Sequence, residues 1–202
     1  MKVKDILRPK SKEDIIFLLE NTNLKPNKLL VQSAKAGFLF GVKKALERDA
    51  DVHAHYDAAL REASMNGHKD IVEFLLKNGA DVHVYNDNPL RWASASALGL
   101  GLDIVELLLK YGADVHAADN APLQVASSHG NINVVELLLK NGADVHAQND
   151  YALRWASVRG HLDIVEFLLK NGADVHVLDD EALRLASKND HLNVVELLKK
   201  YM

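Results

Sequence analysis

Ten histidines in 202 residues invite a reading as metal ligands or proton carriers, the two chemistries imidazole does best near neutral pH. Their spacing argues against both. His53, His83, His116, His146 and His176 each close the string Ala-Asp-Val-His, and they stand 30, 33, 30 and 30 residues apart. His68, His161 and His191 recur at a second fixed place. Side chains that appear once per structural unit are separated by about one helix-packing distance, roughly 8–10 Å. The ligands of one zinc ion lie only about 2 Å from it. His55 and His129 are left over, in different units, so no metal and no cofactor is expected.

The carboxylates follow the same logic. Glu73, Glu106, Glu136, Glu166 and Glu196 each precede a lysine by four residues, the spacing of a surface ion pair on a helix. Asp57, Asp87, Asn120, Asp150 and Asp180 stand before short helical segments, where Asp and Asn cap free N–H groups. No polar cluster remains for catalysis, and G-x-S-x-G, H-E-x-x-H and phosphate-loop strings do not occur. The expectation is a protein that is not an enzyme.

The elements behind these residues are copies of one unit. In the clearest copy, Ala152-Leu153-Arg154-Trp155-Ala156-Ser157 forms a short first helix, and Gly160-His161 turns the chain. Ile164, Val165, Leu168 and Leu169 then place apolar side chains on one face of a second helix. Gly172 ends it, since glycine takes the left-handed conformation that closes a helix. A single pair cannot cover its own apolar face, whereas stacked pairs can. The fold class is therefore all-α, a solenoid of stacked antiparallel helix pairs with short β-turn-like connectors. Six units are read at 26–55, 56–85, 86–118, 119–148, 149–178 and 179–202, behind an N-terminal helical cap over residues 1–25. The capping string Ser11-Lys12-Glu13-Asp14 and the apolar Ile15, Ile16, Leu18 and Leu19 support the cap. At the far end Lys199 replaces Leu76, Leu109, Leu139 and Leu169, which suits a face turned to water.

The segment from Gly160 to His176, with variants ending at His83, His116 and His146, resembles the second half of an ankyrin repeat. Pro89-Leu90-Arg91 and Pro122-Leu123-Gln124 are similar to the start of its first helix. Two departures stand out. Most copies are three residues short of the usual ~33, at the place of the family's hairpin finger. The third unit carries three extra residues within 95–101. Short, regular repeats of this kind are similar in style to arrays of large DNA viruses and of some bacteria or phages. The resemblance implies a non-enzymatic protein-interaction module, whose action in a virus or bacterium would be to capture or block a host protein.

In that family, partners meet the concave helix face and the connector tips. The positions that vary here while the frame stays constant are expected to serve this purpose: Tyr56, Met65, Asn66, Tyr85, Asn88, Leu98, His129, Tyr151, Val158 and Arg159. Trp92 and Trp155 share a slot with Glu62, Val125 and Leu185 and read as partial core. Arg61, Arg91, Arg154 and Arg184 form a ladder expected to pair with connector aspartates.

Composition narrows the partner. A net charge of −4 disfavours a general phosphate-backbone binder, and the absence of cysteine excludes disulfides and thiolate metal sites. No apolar run approaches the ~20 residues that cross a bilayer, and Met1–Lys10 lacks the apolar core of a secretory signal. The expected partner is a protein, with no nucleic acid and no membrane. The chain is read as an intracellular, cytoplasmic monomer, in the host cytoplasm if the source is viral. The alternative function is nucleic-acid binding or a role as a scaffold or assembly subunit.

Overall fold

The computed structural model describes residues 24–96 and 100–202. Among them are twelve α-helices and no strand. They run as six pairs: α1 (Pro26–Lys35) with α2 (Leu39–Glu47), α3 (Ala54–Met65) with α4 (Lys69–Lys77), and α5 (Val84–Ser94) with α6 (Leu102–Lys110). Then follow α7 (Ala117–His129) with α8 (Ile132–Lys140), α9 (Ala147–Arg159) with α10 (Leu162–Lys170), and α11 (Val177–Lys188) with α12 (Leu192–Tyr201). The N-terminal cap read over 1–25 and the tip of the third-unit insertion, Ala97 to Gly99, fall outside the described residues but for Leu24 and Lys25.

Each pair buries what its sequence pattern offers. In α10, Ile164, Val165 and Leu168 are fully buried and Leu169 nearly so. The first helices bury alanines instead, among them Ala63, Ala93, Ala126, Ala156 and Ala186, all at 0% exposure. Small side chains allow close approach, and neighbouring first helices come within 8 Å at far more places than neighbouring second helices do. The stack is therefore narrow on the first-helix side and curves towards it. A single core runs from Leu29 to Leu198.

The short connectors hold no hairpin. Each is one left-handed turn of three consecutive residues: His55–Asp57, Tyr85–Asp87, Ala118–Asn120, Gln148–Asp150 and Leu178–Asp180, with φ between 49° and 61°. The right-handed first helix begins only after it. Non-glycine residues pay about 1–2 kcal/mol each for this region, so the turns need support from outside themselves.

The connector's polar residues supply that support. Asp51, Asp81, Asp114, Asp144 and Asp174 each accept, through the side chain, the backbone N–H of the histidine two residues on, at 2.9 Å. Asp57, Asp87 and Asp150 are buried, and each accepts the backbone N–H of the next unit's aspartate at 2.9 Å. Asn120 does the same for Asp144 at 2.8 Å. The imidazole Nδ1 of His53, His83 and His146 donates to the same carboxylates at 3.2 Å. These Asp and Asn residues thus bridge to the following unit instead of capping their own helix. The closing histidines steady the bridge.

The second set of histidines also belongs to the frame. Nε2 of His68, His161 and His191 meets the carbonyls of Lys35, Ser128 and Val158, 33 residues back. A side chain on Gly160 would strike the His191 ring at 2.6 Å. In the lengthened third unit Leu100 takes the ring's place, packing over Gly67 while remaining 51% exposed.

Candidate functional site

With the frame's polar groups used, the side chains left at the surface of the first helices and turns form the candidate site. Tyr56, Met65, Tyr85 and Trp92 are 70%, 49%, 55% and 38% exposed. Tyr56 and Tyr85, from adjacent turns, pack with ring centroids 5.4 Å apart, and the Arg61 guanidinium lies 5.0 Å from the Tyr85 ring. Two units further on, Tyr151 packs against Trp155 at 5.7 Å. Arg154 covers Tyr151, and Arg159 covers Trp155. These are cation–aromatic contacts between side chains that remain partly in water.

Asn66, His129 and Arg159 are exposed, and Tyr151 and Val158 half-buried. His129 is tied to its own helix through the Val125 carbonyl at 2.9 Å. Asn88 is only 7% exposed and does not belong to the surface as expected. It occupies the place of Tyr151 and Glu181, which are both half-buried, and Glu181 turns towards the arginine of the preceding unit. Leu98 lies outside the described residues. Trp92 departs from the core reading in the opposite direction: it is exposed, and Asn88 stands where Tyr151 packs on the equivalent Trp155.

The arginine ladder also differs from expectation. Arg61 donates to the carbonyls of Tyr56 and His55, Arg154 to those of Asn149 and Gln148, and Arg184 to those of Asp179 and Leu178, all at 2.9–3.2 Å. Its targets are the carbonyls of the left-handed turn, not the aspartate carboxylates. Gln124 makes the equivalent bond to the Asp119 carbonyl at 2.6 Å. No sequence motif announces this role. The one available signal was the fixed distance of five to six residues between each arginine and its turn.

Glu73 shows how the surface carboxylates behave. The Lys77 hydrogen bond and charge hold it below the usual carboxylate range, and Lys77 is raised in turn. That is the direction of an exposed ion pair and opposite to that of a general acid working near neutrality.

A family model described as ankyrin repeats (3 copies) matches residues 30–119, 87–149, 101–179 and 123–202. The chain belongs to the ankyrin-repeat family. Its repeats are protein-interaction modules, and the fold is known as a non-enzymatic scaffold. Among solved structures, the crystal structure of the human ASB11 ankyrin repeat domain superposes with a TM-score of 0.75 at 29% identity. The match covers 85% of this chain and 82% of that one. No curated protein matches the sequence. No helix among the described residues of this ankyrin-repeat chain is long and apolar enough to cross a membrane.

Proposed function

We propose that this ankyrin-repeat chain binds a partner protein on the concave surface made by its first helices and left-handed turns. The observation that carries the reading is the exposed aromatic and arginine side chains there, Tyr56, Tyr85, Trp92 and the Tyr151–Trp155 pair among them. Aromatic residues and arginine dominate binding energy where proteins meet, because they bury large areas at small entropic cost. The surface is preformed on a rigid stack, so little ordering entropy opposes association. On the second helices the corresponding contacts are those of Lys44 with Phe40 and Lys43 with Phe74 near the first unit, and further along Glu–Lys pairs such as Glu73–Lys77 and Glu166–Lys170.

The test begins by isolating the partner by affinity capture and mass spectrometry from the cell that makes the protein. Its affinity is then measured for Met65→Ala, Tyr85→Ala, Trp92→Ala, Tyr151→Ala and Arg159→Ala, with circular dichroism confirming the fold. Loss of about tenfold or more in at least two variants is expected. Unchanged affinity in all five would move the site to the second-helix face or to the N-terminal segment.

A further inference from the structure

We propose that the first-helix face of α3, α5 and α7 receives an extended, acidic segment of a protein, its carboxylates docking on Arg61 and Arg91 as Glu181 docks on Arg154. This rests on the interaction reading above and adds the chemistry of the partner.

The first observation is segregation of charge. The chain as a whole is acidic, at −4. Outside the turns, however, the first helices hold only two carboxylates, Glu62 and Glu181, and both are already paired, with Lys35 at 3.0 Å and with Arg154 at 2.6 Å. Every cationic residue within the second helices is a lysine, while Arg61, Arg91, Arg154, Arg159 and Arg184 all lie on the first helices. Lysine serves for a solvated surface pair. Arginine has a planar fork whose edges can be used separately.

The second observation is how the fork is divided. Nε and one Nη of Arg154 hold the turn carbonyls, and the remaining Nη1 donates to Glu181 of the next unit. The turn therefore aims one N–H edge of the arginine at a carboxylate. Arg61 is clamped to its turn in the same way. The residue standing where Glu181 stands is Asn88, whose Oδ1 is buried and has no hydrogen-bond partner. Beside Arg91 the equivalent residue is Ala121, and among the described residues Arg91 has no ion-pair partner. Two consecutive units thus present an arginine without the internal carboxylate found beside Arg154: Arg61 is clamped to its turn, and Arg91 makes no such turn contact among the described residues. The Tyr85 ring flanks Arg61 at 5.0 Å, so that charge is bordered by apolar surface.

Spacing selects an extended chain. Stacked helices lie roughly 8–10 Å apart, about three residues of a chain extended as polyproline II at ~3.1 Å each. In polyproline II every third side chain returns to the same face, so acidic side chains at every third position would meet successive arginines. Arginine clusters read acidic motifs in this charge-complementary way. A nucleic-acid strand is less suited. α3, α5 and α7 carry two arginines and no lysine, which makes no continuous basic track for the phosphates of a strand.

The test uses the full chain and fluorescence anisotropy with three labelled probes: a dodecapeptide carrying Glu at every third position, its Gln counterpart, and a single-stranded DNA of equal charge. The Glu peptide should bind at least about tenfold more tightly than the Gln peptide. Arg61→Gln and Arg91→Gln should each weaken it by about tenfold. Both should leave the fold intact, because Gln124 already makes the turn contact at the place of Arg61, and Arg91 makes none among the described residues. Glu181→Gln, which uncovers Arg154, should tighten it several-fold. Equal binding of the Gln peptide, indifference to both arginine changes, or tighter arginine-dependent binding of the DNA would overturn the proposal. With the isolated partner, affinity lost in Tyr85→Ala and Trp92→Ala but untouched by Arg61→Gln and Arg91→Gln would remove the acidic class and leave the interaction surface standing. Indifference to all four would remove both.

Discussion

The third and fifth units carry the same five residues, Leu90-Arg91-Trp92-Ala93-Ser94 and Leu153-Arg154-Trp155-Ala156-Ser157, yet their surfaces differ. Leu90, Leu153, Ala93 and Ala156 are all fully buried, so the core treats the two units alike. Above the core, Arg154 is fixed by two turn carbonyls and by Glu181, and Trp155 is half-covered by Tyr151 and Arg159. Arg91 lacks an ion-pair partner among the described residues, and Trp92 is 38% exposed. The cause lies outside the shared string. Tyr151 is replaced by Asn88 within the unit, and Glu181 by Ala121 in the unit that follows. In this array the shared string sets a unit's core, while its surface is set by the other residues of its own first helix and by those of the unit that follows.

That comparison makes its strongest claim about what should be equal. Leu90→Ala and Leu153→Ala each remove a fully buried side chain from an interior unit, and each should cost about 2–5 kcal/mol in urea denaturation. The two costs should agree within about 1 kcal/mol. A much smaller loss for Leu90→Ala would mean that the insertion loosens the third unit's core as well as changing its surface.

The inter-unit bridge comes next in size. Asp87 and Asp150 are equally buried and accept the same backbone N–H at the same distance. Removing the acceptor leaves the N–H of Asp114 or Asp174 without a partner, which costs about 1–3 kcal/mol. Asp87→Ala and Asp150→Ala should therefore destabilise alike by that amount. Asp150→Asn should cost less, because Asn120 already makes the bridge with an amide oxygen at 2.8 Å. An asparagine variant as damaging as the alanine one would show that the histidine contact carries the bridge.

The helix pairs were legible in the sequence because their apolar spacing repeats with fixed glycines, and one well-patterned copy explains the rest. The surface was legible only in outline. Met65, Tyr85 and Arg159 are exposed as position-by-position variation implied. Asn88 is buried and Trp92 is exposed, the reverse of expectation. Trp155, in the same slot as Trp92, is covered by Tyr151 and Arg159 of its own helix, where Asn88 and Ser96 stand in the third unit. The turns were hidden for another reason. Nothing in Gln148-Asn149-Asp150 requires three consecutive left-handed residues, and Leu178 in the same role argues locally against it. Arg154 and Arg184 clamp the turn carbonyls from the helix that comes after, and the buried Asp150 ties its turn to the next unit.

Breaking the contact that distinguishes the fifth unit should have a smaller effect. Arg154 and Glu181 keep 15% and 27% of their side-chain exposure, so water already screens part of their attraction. Glu181→Ala should cost about 1 kcal/mol or less in the same denaturation experiment. Arg91→Gln, at a position without that contact, should cost about half as much or less. Equal losses would mean that the ion pair adds nothing to the clamp.

The smallest effect comes from giving the third unit what the fifth has. Ala121→Glu places a carboxylate on α7 where Glu181 stands on α11, facing Arg91. The pair must order a new side chain, and its site is partly open to water, so the gain should be only about 0.5 kcal/mol. A glutamate at the start of a helix is also favourable towards the helix dipole, by a similar amount and without any arginine. The variant alone therefore cannot separate the two causes, but a double-mutant cycle with Arg91→Gln can. If the pair forms, most of the gain disappears in the Arg91→Gln background, and the bound Glu peptide is displaced because its docking edge is filled from within. A gain that persists without Arg91 belongs to the helix dipole, and the surface of the third unit would then differ from that of the fifth for a reason other than its missing carboxylate.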